Sequence, residues 1–388
     1  MKGVKKQMAK VLLGDVVDHV KDKVDKDTTD LEFYVGGEHI DSDEITVRRR
    51  GRIEGSTIGP AFHMRFQQGD VLLMSRNPHL RKASMVDFDG ICSDVSYVCR
   101  TKDNSILLQS LLPFILQTPE FWQFAEENKK GGLPFFLNWK DFARFEFELL
   151  PIERQQQISD LLWAMERVKN AYRELIARTD DLVKSQFIEE IQPLLDAGKT
   201  VPLDDLVVDD RPITYGILKP GSGFPGGIPV VKVKDMRDGV IDQSDLLLTT
   251  PELDYQYRRS RLRAGDLLIS IRGSVGRMAE VPENLENANI TQDTARLTIK
   301  PEYNKVYVRG VLESQPLQHD MEKNIRGVAV KGINIGYLRK LGIPMCDKEN
   351  QDRLAALYQQ SDKSKFAAQQ TLKELTDAQR ALMKKIFE

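Results

Sequence analysis

Two segments of the chain space apolar residues as a helix does, each over about forty positions. In residues 152–191, which contain no Gly or Pro, Ile158, Leu161, Met165, Val168, Tyr172, Leu175 and Leu182 recur mostly at steps of three and four. That is a heptad seam, with Glu, Arg, Lys and Gln filling the outer positions. At 1.5 Å per residue, about 38 residues make a rod of ~57 Å, which cannot bury its own stripe. The second segment, 349–388, is patchier, with Leu354, Leu357, Leu372, Leu375, Leu382 and Ile386 on the seam and a polar stretch at 361–365. Packing the two rods antiparallel covers both stripes. The rest of the chain alternates short apolar stretches with Gly, Pro and Asp, which predicts strands, and the apolar run 107–124 predicts a helix. The expectation is a mixed α/β (α+β) fold: two globular domains, 1–150 and 199–346, separated by long antiparallel coiled-coil helices in 151–198 and 347–388.

One short pattern occurs twice. "GDVLLMSRNPHLRKA" (69–83) aligns without a gap on "GDLLISIRGSVGRMA" (265–279), an offset of 265 − 69 = 196, which superposes Arg76 on Arg272 and Arg81 on Arg277. "SDVSYVCR" from Ser93 falls three residues off that register against "QDTARLTI" from Gln292. The register then returns, pairing Asn138 with Asn334, Phe142 with Leu338, Phe145 with Leu341, Phe147 with Ile343 and Gln155 with Gln351. A Gly-Asp pair ahead of alternating apolar residues is, alone, a turn feeding a buried strand. The shared order and spacing make it one mark of an internal duplication. A period near 196 is too long for a solenoid repeat, so each unit is a domain plus a helical appendage, and the expected arrangement is a pseudo-two-fold dumbbell.

Composition bounds the function classes. The 388 residues are too many for one core, and 41% hydrophobic with 29% charged residues is an ordinary globular balance. Cys92, Cys99 and Cys346 form no C-x-x-C pair, so neither a disulfide framework nor a zinc site is indicated, and buried reduced thiols in a cytoplasmic protein are expected. No apolar run has the length of a signal peptide core or a membrane span, which predicts a soluble protein. The net charge of −2 does not advertise a nucleic-acid binder, but "VRRRGR" (47–52) and "YRRSRLR" (257–263) are locally very basic. Each cluster reads equally as a solvated turn.

Catalytic chemistry is scarce. The loop "KPGSGFPGG" (219–227) lacks the G-K-[ST] ending of a phosphate loop, and its prolines remove donors a phosphate would need. The histidines His19, His39, His63, His79 and His319 show no metal-ligand spacing, and there is no G-x-S-x-G elbow. "SRNPHL" holds only a fragment of the N-P-P-[YF] motif of amino-methyltransferases, and Asp204-Asp205 and Asp209-Asp210 read as turn and cap residues. What remains is binding. Arg76 with Arg81, and Arg272 with Arg277, trail the duplicated strand where a loop can set guanidinium groups against phosphates or guanine edges, or where they simply form surface ion pairs.

Three features resemble the specificity subunits of type I restriction-modification systems. They are "PVVKVKDMRDG" (229–239) after "ITYGILKPGSGFPGGI", the paired "GDVLLM" and "GDLLIS" strands, and the closing "FLNWKDFARFEFELLPIERQQQISDLL" (136–162) with its counterpart "GINIGYLRKLGIPMCDKENQDRLAAL" (332–357). The first half departs from the pattern at Trp139, Glu146 and Glu148. The resemblance implies two target-recognition domains, each reading one half of a split DNA site, with helices that act as a ruler and bind two methyltransferase subunits. It implies no cofactor in this chain: S-adenosylmethionine belongs to the methyltransferase partner, ATP and Mg to a restriction (motor-nuclease) partner. From charge and placement the DNA-facing candidates are Arg48, Arg49, Arg50, Arg76, Arg81, Arg258, Arg259, Arg272, Arg277 and Lys331. Competing readings are a coiled-coil scaffold with two protein-binding lobes and no DNA contact, and a stand-alone nuclease or methyltransferase, which the motif search disfavours.

Overall fold

A computed structural model describes residues 9–132, 134–237, 239–327 and 331–387. The chain folds as two compact units. The first takes the chain up to Arg173 and again from Gln370, and the second runs from Glu174 to Gln369.

The first unit is built on an antiparallel sheet of β1 (Val17–Val20), β2 (Val71–Met74), β3 (Ala83–Met85) and β4 (Ser96–Thr101), in the spatial order β1–β4–β2–β3. Alternate residues of a strand face opposite sides, and β2 uses both. Val71 and Leu73 enter a core with Leu112, Phe114 and Phe121, while Leu72 enters a separate core with Val35, Met64, Phe66 and Val98. A second sheet, containing the parallel pair Phe33–Val35 and Gly90–Ser93, supplies part of that other core. The run 107–124 is not one helix. It forms Leu112–Ile115 and Pro119–Glu127, because the Thr118 hydroxyl accepts from the Phe121 amide at 3.4 Å and Pro119 opens a new helix.

The second unit repeats the plan with β5 (Thr214–Tyr215), β6 (Leu267–Ser270), β7 (Met278–Glu280) and β8 (Thr294–Leu297), in the order β5–β8–β6–β7. Leu267 and Ile269 enter one core, Leu268 another, and a parallel pair, Ile228–Val231 with Asn289–Ile290, again lies in a second sheet. Hydrogen bonds fix the register that residue similarity misjudged. Val71 pairs with Cys99 and Leu267 with Leu297, so β4 and β8 are offset by 297 − 99 = 198, two residues off the repeat rather than three.

Both Gly-Asp pairs are turns of the same construction. Gly69 and Gly265 have φ of +90° and +82°, the left-handed region that glycine enters without a Cβ penalty. Each aspartate then accepts the amide three residues back, Gln67 at 2.8 Å and Arg263 at 2.7 Å.

Two helices, α1 (Ile152–Asp196) and α2 (Lys348–Phe387), contribute to both units. Each is keyed to its sheet domain by a buried glutamine in its first turn. Gln155 accepts the Leu108 amide at 3.0 Å and donates to the Leu150 carbonyl at 2.8 Å, and Gln351 accepts the Asn304 amide at 3.2 Å and donates to the Cys346 carbonyl at 2.9 Å. These partners all differ by 196. In the first unit the start of α1 packs against the end of α2, with Ile158 and Leu162 sharing a core with Met383. In the second, Asp180 pairs with Lys365 at 3.0 Å and Glu190 with Arg353 at 2.7 Å, so the helices run antiparallel.

The buried face of α1 differs from the expected seam. Leu161, Val168, Leu175 and Leu182 are exposed, Met165 and Tyr172 are half-buried, and only Ile158 of that row is buried. On α2, Leu354 is buried and Leu357, Leu372, Leu375 and Leu382 are half-buried. The next inward positions after Leu162 hold Glu166 and Lys169, both buried, with the Lys169 ammonium donating to Glu166 at 2.6 Å and to Gln379 at 2.8 Å, and apolar residues return at Val183, Phe187 and Ile191. A hydrogen-bonded polar trio can occupy a helix seam, and hydrophobic spacing cannot detect it.

Candidate nucleic-acid interface

The loop that leaves β2 and the loop that leaves β6 are held by the same backbone bonds. The Ser75 amide donates to the Val95 carbonyl at 2.9 Å and the Leu137 amide to the Ser75 carbonyl at 2.8 Å. In the second unit Ile271 donates to Asp293 at 2.8 Å and Ile333 to Ile271 at 2.9 Å. Next, Asn77 donates to Phe135 and Gly273 to Lys331, which makes Lys331 the counterpart of Phe135. Asn77 (φ 52°) and Gly273 (φ 72°) share the left-handed conformation. Past that point the loops part. The first turns through Pro78–Leu80 into a left-handed Arg81 (φ 49°), a conformation uncommon for a residue with a Cβ, whereas the second uses Gly276 (φ 85°).

Arg76 and Arg272 project from equivalent places, and both are exposed. The Arg272 guanidinium donates to the Gln292 amide oxygen at 3.0 Å and lies 4.0 Å from Asp293. Arg76 has no side-chain partner among the described residues. It lines an open cleft of about 340 Å³ with Ser75, Asp94, Val95, Pro134 and Phe136. Phe136 is 40% exposed, and its backbone bridges to Arg76 as that of Gly332 bridges to Arg272.

The other arginines are mostly engaged within their own unit. Arg81 lies 3.6 Å from Asp43, and Arg48 pairs with Glu44, so these two gather along one edge. Arg49 pairs with Asp41 at 2.5 Å, and Arg50 sits over the rings of Phe33 and Phe88 at 4.0 and 4.6 Å. In the second unit Arg277 donates to the Val233 and Met236 carbonyls at 3.3 Å each, and Arg258 covers the Tyr255 ring at 4.8 Å. Arg259 and Lys331 are exposed. Asp94, Phe136 and Gln292 were not singled out from the sequence. Only the β4 and β8 pairing register brings Asp94 and Gln292 into correspondence, at 292 − 94 = 198.

His19 packs against Tyr97 and Trp139, both its ring nitrogens lack a hydrogen-bond partner, and burial pushes it down to about 4, which keeps it neutral at pH 7. Burial pushes the Cys92 thiol up to about 12 and Cys99 up as well, and both are free. Among the described residues no three His, Cys, Asp or Glu side chains gather to hold a metal, and no helix is long and apolar enough to cross a membrane.

Comparison with known proteins places this architecture. A chain in a structure concerned with complex assembly and conformational transition of the type I R-M system matches with a TM-score of 0.54 at 23% identity, over 99% of this chain and 98% of that one. The type I restriction-modification system S subunit from M. genitalium matches with a TM-score of 0.55 at 13% identity, over 100% and 98%. The fold class is therefore that of the S subunits: two mixed α/β domains joined by long paired helices. In sequence the chain is similar to the type I restriction enzyme EcoBI specificity subunit of Escherichia coli, with 29% identity over 192 residues. That match covers 48% of this chain and 40% of the relative's length. No family model matches the chain.

Proposed function

We propose that the chain is a non-catalytic, sequence-specific DNA-binding subunit that recognises a bipartite target and directs the methyltransferase and restriction subunits of a type I restriction-modification complex. Residues 1–150 and 199–346 serve as target-recognition domains, and 151–198 and 347–388 as helical spacers. The observation that carries this reading is the repeated loop frame, which presents Arg76 and Arg272 at matched positions on two units. A reader of a split site needs two similar surfaces that hold different side chains. Partners are double-stranded DNA, two methyltransferase subunits and motor-nuclease subunits, in the cytoplasm. S-adenosylmethionine, ATP and Mg act in those partners. The exposed Leu161 and Val168 of the first unit and Leu175 and Leu182 of the second support docking of apolar partner helices along α1.

The full chain with its methyltransferase partner is expected to protect a gapped two-part duplex, with affinity falling as salt rises because phosphate contacts release counterions. Replacing residues 1–150 by those of a relative should change one half of the protected sequence. Loss of both halves contradicts the modular assignment, and salt-independent behaviour without duplex binding favours the scaffold reading.

A further inference from the structure

We infer that positions 76, 94 and 136 of the first unit, with their counterparts 272, 292 and 332 of the second, form a base-reading triplet, and that the Asp94/Gln292 difference makes the two units prefer different base edges. The inference rests on the DNA-recognition reading above and adds which residues discriminate and what they select.

The backbone at these positions is the same in both units. The residue after position 94 supplies the carbonyl that accepts from the start of the arginine loop, Val95 to Ser75 at 2.9 Å and Asp293 to Ile271 at 2.8 Å. The third position bridges to the arginine itself, Phe136 to Arg76 and Gly332 to Arg272. The frame is shared, and the chemistry on it is not.

In the first unit the cleft of about 340 Å³ offers the Arg76 guanidinium, a pure donor, and the Asp94 carboxylate, a pure acceptor. Both are exposed, and neither has a side-chain partner among the described residues, so both are available to a ligand. Although both line one cleft, no ion pair joins Arg76 to Asp94 within 4.0 Å among the described residues. In the major groove a G·C pair presents guanine O6 and N7 as acceptors and cytosine N4 as a donor. Arg76 matches the guanine edge and Asp94 the cytosine amino group, while the exposed Phe136 ring gives apolar contact beside them.

In the second unit Arg272 donates to the Gln292 oxygen at 3.0 Å. A guanidinium cannot accept, so the amide turns its oxygen to the arginine and leaves its NH₂ to donate to a ligand. The groups at positions 272 and 292 thus offer donors, and the nearest carboxylate, Asp293, lies 4.0 Å from the Arg272 guanidinium. Gly332 leaves no side chain beside it, and a Cβ at that position would meet the Ile271 carbonyl at 2.6 Å. Those two donors match acceptor-rich edges, guanine O6 and N7 or thymine O4, and position 292 itself offers no carboxylate to a cytosine amino group.

The test uses the full chain with its methyltransferase partner and a duplex library with randomised sequence, sequencing the retained DNA for the wild type, Asp94→Asn and Gln292→Glu. Asp94 is exposed and Gln292 half-buried, and circular dichroism checks that the fold is kept. Asp94→Asn is expected to reduce discrimination for one G·C pair in one half-site by about ten-fold or more, the size of one base contact, and leave the other half unchanged. Gln292→Glu should alter preference only in the other half. An unchanged motif in both halves, or uniform weakening across all sequences without reordering them, overturns the inference while leaving DNA recognition standing. A wild-type chain that enriches no motif overturns both.

Discussion

The two units build one turn and then secure it with different side chains. In the first, Asp70 is gripped by both arms of Arg100, at 2.7 and 2.8 Å, and the Arg100 side chain is 40% exposed. In the second, Asp266 receives Arg211 at 2.8 Å and the Thr298 hydroxyl at 2.6 Å, and the Arg211 side chain is only 9% exposed. Thr298 stands where β8 places the counterpart of Arg100, 298 − 100 = 198, and a different arginine supplies the charge. The left-handed glycine and the aspartate at the turn are what the frame needs. The partner of the aspartate can be exchanged as long as one cation and the remaining hydrogen bonds are supplied.

That contrast sets the largest expected effect. Asp266→Ala strands a buried guanidinium close to Arg296, which burial and Arg211 already push down to about 10, and should cost about 3–5 kcal/mol. Asp70→Ala leaves Arg100 free to rehydrate and should cost about 1–3 kcal/mol. Urea unfolding, followed by probes in each unit, checks both. Equal losses would mean that the exposure of the partner does not govern the cost.

The helix pair repeats the lesson at smaller scale. Lys169→Ala removes the hydrogen-bonded cation from a buried trio and leaves Glu166 only the Arg173 guanidinium at 4.0 Å, for an expected loss of about 3 kcal/mol. Arg353→Ala breaks a half-exposed pair with Glu190 and should change stability by about 0–1 kcal/mol. Thermal melts of the two variants sharpen the comparison, since a Lys169→Ala protein as stable as the wild type would show that the trio does not organise the seam.

The sequence disclosed the duplication because its marks are obligatory. A left-handed turn selects Gly69 and Gly265, strands buried on both faces select continuous apolar runs, and the keying of each helix selects Gln155 and Gln351 at matched positions. Which face of α1 is buried was not legible. The heptad residues Leu161, Val168, Leu175 and Leu182 point outward, and two inward places are held by Glu166 and Lys169, whose ammonium also donates to Gln379 from the other end of the chain. Similarly, the apolar run 107–124 hid its break, because Thr118 ends one helix and caps the next without interrupting the hydrophobic pattern strongly. Among the candidate arginines, charge did not separate Arg48, Arg49 and Arg50, which are occupied within the unit, from Arg76, which is not. Asp94 and Gln292 stayed hidden because the strands that carry them are offset by 198 rather than 196.

We propose that each unit reads its own half of a divided DNA site through the same loop. It is tested most directly by selecting duplexes from a randomised pool with Arg76→Ala, Arg272→Ala and the double variant, each assembled with the methyltransferase partner. The account predicts that Arg76→Ala erases preference in one half of the motif, Arg272→Ala in the other, and the double variant in both. Two single variants that disturb the same half, or a motif left intact by all three, would contradict it.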